Sequence, residues 1–127
     1  MNDALILDTG VVESLWTGGE GTGWLEAVVN GDGKAAVSTV TVAEMVRKAP
    51  DRRAEIQLEA LLDSVEVLDL SATVARRAGQ IVRELDSPNP EAMLSAVVAA
   101  TALENGLSVA CIDDEFFSAM GCSIGGI

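Results

Sequence analysis

Acidic residues follow three apolar segments of this chain, and they are the residues best suited to chemistry. Asp8 directly follows the apolar run at residues 4–7, and Asp113 directly follows the run at residues 107–112. Glu44 lies in the predicted first turn of a helix that follows a third, shorter run. Because ligands of an open α/β sheet bind beyond the carboxyl ends of its strands, we expect these carboxylates to converge there. Clustered carboxylate oxygens suit a hard divalent cation, so the sequence predicts a site for Mg²⁺ or Mn²⁺.

Short apolar segments alternate with helical patterns along the chain, and these elements must position the acids. The predicted strands cover residues 4–8, 35–38, 65–68 and 107–112, with a further short strand near residues 123–124. Continuous apolar strands separated by helices predict a mainly parallel central sheet with helices on both faces. The sequence therefore predicts an α/β fold, a three-layer α/β/α sandwich, formed by a single domain that covers residues 1–127.

Several of the predicted helices have recognisable ends. Ser71 is a favourable N-cap, Pro50 stops the helix that precedes it, and Gly106 ends another helix. The predicted helices run from Thr9 through Trp16, around Trp24, from Thr41 to Pro50, over residues 51–63, from Ser71 to Ser87, from Asn89 to Gly106 and from Asp114 to Met120.

The charge balance of the chain is strongly acidic. The formal net charge is −12, and the only lysines are Lys34 and Lys48. An acidic, lysine-poor surface is typical of halophile-like proteins in a salt-rich cytoplasm, where repulsion between charges is screened. A basic partner is the alternative explanation, but the acids are spread along the chain and do not form a tail. Such a surface holds nucleic acid poorly by charge alone, so a nucleic-acid role requires metal ions or local arginines.

The sequence also bears on the compartment of the protein. Its apolar runs are too short to cross a bilayer, and the N-terminus lacks the basic-then-apolar pattern of a signal peptide. We therefore expect a cytoplasmic protein in which Cys111 and Cys122 are reduced, structural thiols. Because the chain has no histidine, it lacks the ligands that a zinc site would need.

The order and spacing of four segments resemble the PIN domain family, in its VapC-type toxin ribonuclease group, along essentially the whole chain. The segments are LILDT at residues 5–9, STVTVAE at 38–44, AVVAATALENGL at 96–107 and CIDDEFF at 111–117. The resemblance implies a Mg²⁺- or Mn²⁺-dependent endoribonuclease that cleaves single-stranded RNA as the toxin of a toxin–antitoxin pair. It also implies a cognate antitoxin as protein partner and a homodimer as the assembly.

The resemblance assigns roles to residues of this chain. Asp8, Glu44 and Asp113 would be the catalytic metal ligands, either directly or through water. Thr9 and Glu115 would be supporting groups. Carboxylates are required because hydrolysis of a phosphodiester adds negative charge to an anionic group, and the bound metal offsets that charge and activates a water.

One position departs from the family pattern. Where the family usually has an acid, counted back from Thr101, this chain has Ser95, a far poorer ligand for Mg²⁺. Glu91 lies one helical turn earlier on the same face, so its longer side chain is a candidate for the missing oxygen. Alternatively, a three-carboxylate site binds one metal and keeps weak activity. A third alternative is a catalytically degenerate or deliberately inactivated domain that binds RNA or a protein.

Two further features are candidates for contacts with partners. Arg52 and Arg53 form the only dense basic cluster together with Arg47 and Lys48. This cluster is either a solvated helix junction around Pro50 or a contact to RNA phosphates or to an acidic partner segment. Trp16 and Trp24 bracket a glycine-rich segment. Large aromatic residues are most often core or interface anchors, and the resemblance offers an antitoxin peptide as the partner that packs on these early helices.

Overall fold

The protein is described by a computed structural model that covers residues 4–17, 35–85, 91–111 and 114–124. The strands are β1 Leu5–Leu7, β2 Ala35–Ser38, β3 Glu66–Leu68 and β4 Ser108–Ala110. They form one parallel sheet in the order β3-β2-β1-β4, with β1 paired to both β2 and β4. The predicted parallel sheet is confirmed, and β1, which delivers Asp8, lies in its interior.

Helices connect the strands and cover both faces of the sheet. Within the described ranges they are α1 Thr9–Thr17, α2 Thr39–Lys48, α3 Arg52–Leu62, α4 Ala72–Leu85, α5 Glu91–Asn105 and α6 Asp114–Ala119. Side chains of a strand alternate between the two faces of a sheet. Ile6 accordingly packs with α4 and α5, whereas Leu5 and Leu7 pack with α1, α2 and α3. The two apolar clusters make the three-layer sandwich that the sequence predicted.

The strands are less uniformly buried than their apolar runs suggested. All three residues of β1 are buried, but Glu66 and Val67 of β3 are exposed. The difference follows from position, because β3 is an edge strand that pairs only with β2 in the described sheet. The last predicted strand is reduced to a single bridge between Val109 and Ile124.

Helix α2 begins earlier than the sequence pattern indicated. The helix starts at Thr39 and not at Thr41, because Ser38 is its N-cap and its hydroxyl accepts a hydrogen bond from the Val40 amide at 3.1 Å. Glu44 therefore lies in the second turn of α2, and the prediction that it lies in the first turn was wrong. Thr41, taken as the start of the helix, is instead a buried residue inside it.

Other predicted helix ends agree with the structure. Ser71 caps α4, since its hydroxyl accepts a hydrogen bond from the Val74 amide at 3.1 Å. Gly106 ends α5 in the left-handed conformation, with φ of 65°, which glycine adopts without a steric penalty. The helix predicted around Trp24 lies outside the described residues. Within those residues, no helix has both the length and the apolar character needed to span a bilayer.

Candidate acidic site at the strand ends

A cavity of about 160 Å³ opens beyond the carboxyl end of β1. We call it the strand-end cavity, and its described lining consists of Asp8, Thr9, Gly10, Glu44, Lys48, Leu94 and Ser95. These residues come from the β1–α1 junction, from α2 and from α5, which are far apart in the sequence. The fold therefore gathers side chains from three segments at the place where an open α/β sheet binds ligands.

Backbone hydrogen bonds fix the position of Asp8. Its amide donates to the carbonyl of Ala110 at 2.9 Å, which continues the pairing of β1 with β4 by one residue. Its own carbonyl accepts from the amides of Val11 and Val12 in the first turn of α1. The side-chain Oδ1 atom is buried. Asp8 is therefore held between a strand and a helix, with its carboxylate at the cavity.

Two threonines join the start of α1 to α2. The hydroxyl oxygens of Thr9 and Thr41 lie 3.2 Å apart and share a hydrogen bond, and Thr41 is fully buried. Glu44 lies three residues after Thr41, so it occupies a neighbouring position on the same side of α2. The threonine contact thus brings the helix that carries Glu44 against the end of β1.

The Glu44 carboxylate is surrounded by positive charge. Its side chain is 17 % exposed and forms an ion pair with Arg47, one turn further along α2. The hydrogen bond from Arg47 lowers the pKa of Glu44, and the charges of Arg47 and Lys48 act in the same direction, against the opposing effect of burial. Glu44 is therefore ionised at neutral pH and available as an anionic ligand.

Lys48, at the end of α2, is the cation in the described lining of the strand-end cavity. Its ammonium group lies 2.6 Å from a carboxylate oxygen of Glu13 in α1. Sequence reasoning placed Lys48 in a basic cluster and missed its place at the site. The available signal was its spacing, because Lys48 follows Glu44 by one helical turn and shares its face.

Helix α5 contributes Ser95 to the same cavity, beside Leu94. The structure thus brings Asp8, Thr9, Glu44 and Ser95 together. Glu91 is the first residue of α5, and its side chain lies outside the described part of the structure. Asp113 also lies outside the described residues, although the end of β4 is next to Asp8.

Three further predicted site residues are absent from the part of the cavity lining that the structure describes. Glu115 is an exposed residue of α6 and is absent from the described lining. Arg52 and Arg53 are exposed at the start of α3, where Arg52 forms an ion pair with Glu55 at 3.2 Å. Exposed arginines at a helix start fit either interpretation of this cluster, a solvated helix junction or a contact with a partner.

The donor atoms at the cavity suit a hard divalent cation. Asp8 and Glu44 supply carboxylate oxygens, and Thr9 and Ser95 supply hydroxyl oxygens, which are the ligand types of Mg²⁺ and Mn²⁺. No group of three acidic, cysteine or histidine side chains with metal-binding geometry occurs among the residues that the structure describes. The described part of the site is thus a two-carboxylate fragment, and Asp113 is the predicted third ligand.

Comparison with sequence families identifies a relationship over most of the chain. The model of the PIN domain family matches residues 5–121. A comparison with curated protein sequences gave no match.

Several solved structures share the fold at low sequence identity. VapBC2 from Rickettsia felis, bound to a DNA fragment from its promoter, superposes with a TM-score of 0.76 at 14% identity, covering 96% of this chain and 97% of that chain. DNA-bound VapBC from Salmonella typhimurium gives 0.74 at 23% identity and 98% coverage of both chains. VapC20 from Mycobacterium tuberculosis, described as a sarcin–ricin loop cleaving toxin, gives 0.73 at 18% identity, covering 98% of this chain and all of that chain (100%).

Proposed function

Because this chain belongs to the PIN domain family, we propose that it is a metal-dependent endoribonuclease that cleaves single-stranded RNA as the toxin of a toxin–antitoxin pair. The observation that carries the proposal is the convergence of Asp8 and Glu44 at one cavity beyond the end of β1. Backbone hydrogen bonds hold Asp8, and the Thr9–Thr41 contact holds the helix that carries Glu44. Two carboxylates from distant segments form the type of site that a divalent cation requires.

Asp8 and Glu44 would hold the cation, with Asp113 as the predicted third ligand. A bound Mg²⁺ or Mn²⁺ would supply positive charge against the phosphodiester and lower the pKa of a coordinated water. The protein contributes the position of the oxygens, since Asp8 is fixed by β4 and α1 before any ligand arrives. The hydroxyls of Thr9 and Ser95, which line the same cavity, would donate hydrogen bonds to an anionic group bound there.

The relatives in solved structures support the toxin assignment. VapC20 is described as a toxin that cleaves the sarcin–ricin loop, and the Rickettsia felis and Salmonella typhimurium structures are VapBC complexes. By analogy with proteins of the same fold, we assign this chain an RNA substrate, a cognate antitoxin and a homodimeric, cytoplasmic form.

A groove beside the cavity offers a place for the antitoxin. It has a volume of about 540 Å³ and a described lining of Glu13, Trp16, Lys48, Pro50, Ala54 and Gln57. The indole Nε1 of Trp16 donates a hydrogen bond to the carbonyl of Ala54 at 3.0 Å, so the ring is fixed as one wall of the groove. A rigid aromatic wall beside aliphatic residues suits an apolar peptide segment.

Ser95 supports a second candidate function. A neutral side chain lines the cavity from α5, and the cation Lys48 lies in the same lining. Both features reduce the negative charge available to a second metal ion. The alternative is therefore a degenerate PIN domain that binds RNA or a protein partner without cleaving RNA.

Cleavage of labelled single-stranded RNA by the native chain, with Mn²⁺ and with EDTA, tests the proposed function. We expect cleavage that requires Mn²⁺, together with saturable Mn²⁺ binding in calorimetry that is lost in Asp113→Asn. A chain that neither cleaves RNA nor binds Mn²⁺ through Asp113 would instead be the degenerate binding module.

A further inference from the structure

Lys48 occupies an unusual position among the cations that the structure describes. It lines both the strand-end cavity and the neighbouring groove that Trp16 bounds. Its partner Glu13 lies in α1 and lines the groove. The Lys48–Glu13 ion pair therefore stands at the boundary between the acidic site and the surface next to it.

The charges at the cavity create a problem for an RNA strand. Asp8 and Glu44 repel phosphate groups, and the whole chain carries a formal net charge of −12. A divalent cation offsets this repulsion at the phosphate that it contacts, but the flanking phosphates of the strand lie beyond it. This repulsion is only partly screened over the short distance between the cavity and those phosphates, so a cation at the rim of the cavity favours binding of the strand.

Lys48 is able to change partners at small cost. Its side chain is 40 % exposed and that of Glu13 is 42 % exposed. Ion pairs between exposed side chains contribute little to stability. Replacing the Glu13 carboxylate by a phosphate oxygen as the partner of Lys48 therefore costs little folding free energy. Arg47, by contrast, is paired with Glu44 itself, so its positive charge stays next to that carboxylate.

We propose that Lys48 binds a backbone phosphate of single-stranded RNA next to the strand-end cavity, and that Glu13 holds its ammonium group at the rim when RNA is absent. The inference rests on the proposed function and names a substrate-binding residue for that site. The step is an exchange of ion pairs, in which the ammonium leaves the Glu13 carboxylate and donates to a phosphate oxygen. No covalent bond forms or breaks.

A purely structural role for the pair is the competing explanation, since the Lys48–Glu13 contact also joins α2 to α1. The molecule contains a matched ion pair for comparison. Arg77 of α4 is paired with Glu104 of α5, and Arg77 is 42 % exposed, close to the value for Lys48. Arg77→Met therefore removes one positive charge and one interhelical ion pair away from the cavity.

The test is the affinity for a fluorescent single-stranded RNA, measured by anisotropy in buffer with CaCl₂ over a range of salt concentrations. A gel confirms that the RNA is intact, and thermal melting confirms that each variant is folded. Lys48→Met should weaken binding by about 5- to 10-fold and reduce the slope of log affinity against log salt by about one, as loss of one phosphate contact does. Lys48→Arg should retain most of the affinity because it keeps the charge, and Arg77→Met should stay within about 2-fold of the native chain.

Glu13→Gln sharpens the test. Releasing Lys48 from its carboxylate should tighten RNA binding by about 2- to 5-fold in the native background and have no such effect in the Lys48→Met background. Equal effects in the two backgrounds would mean that Glu13 acts only through its own charge, which overturns its role as the tether.

The outcomes separate this inference from the proposed function. If Lys48→Met binds RNA like Arg77→Met, the role of Lys48 is overturned, and cleavage by the native chain still decides the nuclease function. If the native chain binds RNA without cleaving it, the nuclease function fails while the Lys48 variants still decide the inference. A native chain that binds no RNA overturns both.

Discussion

Two cavities in the described part of the molecule differ in a way that size does not explain. The strand-end cavity measures about 160 Å³, whereas a cavity of about 470 Å³ lies between α4 and α5. We call the larger one the helix-seam cavity, and its described lining is Thr73, Arg76, Arg77, Gln80, Ile81, Glu84, Leu103, Glu104 and Met120. The strand-end cavity lies at the end of a buried strand, whereas the helix-seam cavity lies between the surfaces of neighbouring helices.

The charges of the two cavities are arranged differently. In the helix-seam cavity the Arg77–Glu104 pair links two helices that already pack against each other. In the strand-end cavity, Asp8 and Glu44 are brought together from a strand end and a helix, with Arg47 and Lys48 beside Glu44. The comparison shows that the candidate site is distinguished by carboxylates from a strand end and from a distant helix that share one cavity, at the edge where an open α/β sheet binds ligands.

The largest expected effect comes from removing a carboxylate of the strand-end cavity. Asp8→Asn should reduce Mn²⁺-dependent RNA cleavage on the order of 100-fold or more, because it removes a proposed metal ligand that a strand and a helix hold in place. The matched control is Glu104→Gln in the helix-seam cavity, which should cleave at the native rate. Cleavage by Asp8→Asn as fast as by the native chain would show that the site is wrong.

Adding a carboxylate tests the departure at Ser95. Ser95→Asp should tighten Mn²⁺ binding and raise the cleavage rate by about 10-fold, since a carboxylate is a better ligand than a hydroxyl. Ser64→Asp adds the same charge before β3, at the opposite end of the sheet strands, and should change neither quantity. No gain from Ser95→Asp would mean that Ser95 does not occupy a vacant ligand position.

Arg47 gives a smaller effect whose size depends on pH. At neutral pH, Arg47→Met should tighten Mn²⁺ binding by about 3-fold, because the Glu44 carboxylate no longer carries a competing guanidinium. Arg47 lowers the pKa of Glu44, so in the variant this carboxyl takes up its proton at a higher pH than in the native chain. The advantage should therefore shrink as the pH falls toward about 4.5, the ordinary range of a glutamate pKa.

Calorimetric titrations with Mn²⁺ at pH 7 and at pH 4.5 measure both effects of Arg47→Met. Arg77→Met serves as the control in the helix-seam cavity and should leave Mn²⁺ affinity unchanged at either pH. An Arg47→Met variant that binds Mn²⁺ more weakly than the native chain at pH 7 would contradict a ligand role for Glu44.

The last prediction leaves RNA cleavage and metal binding aside and concerns the structural side of the comparison. Cys122 is buried in the apolar cluster beneath α4 and α5, and burial raises the pKa of its thiol, with a small opposing effect from the charge of Arg77. A protonated thiol is a poor nucleophile, so iodoacetamide should modify Cys122 at pH 8 at least about 10-fold more slowly than the half-buried Cys111. Mass spectrometry of the two cysteine peptides measures the ratio, and equal rates would contradict the packing.

The sequence predicted the sheet well, together with the strand end that carries Asp8. Apolar runs are continuous where a strand is buried, so the run before Asp8 indicated both β1 and the strand end that carries the carboxylate. The apolar run around Val67 predicted β3 correctly, but it did not predict that residues of β3 are exposed. Periodicity does not reveal which strand lies at the edge of a sheet.

The rest of the site depends on tertiary contacts that local patterns do not encode. Thr41 is a residue type that often begins a helix. Ser38 is nevertheless the N-cap, because the chain leaves β2 at that residue. Lys48 was grouped with its basic neighbours in the sequence, although packing of α2 against α1 pairs it with Glu13 across the fold. Arg52 and Arg53, from the same cluster, lie on an exposed helix start.

The central claim is that carboxylates at the strand ends hold one divalent cation. A crystal grown with MnCl₂, with anomalous diffraction collected to locate manganese, tests it most directly. We expect a peak in the strand-end cavity with carboxylate oxygens of Asp8 and Glu44 or Asp113 at about 2.1 Å, or one water further away. An empty cavity at saturating MnCl₂, or Asp113 far from Asp8, would contradict it.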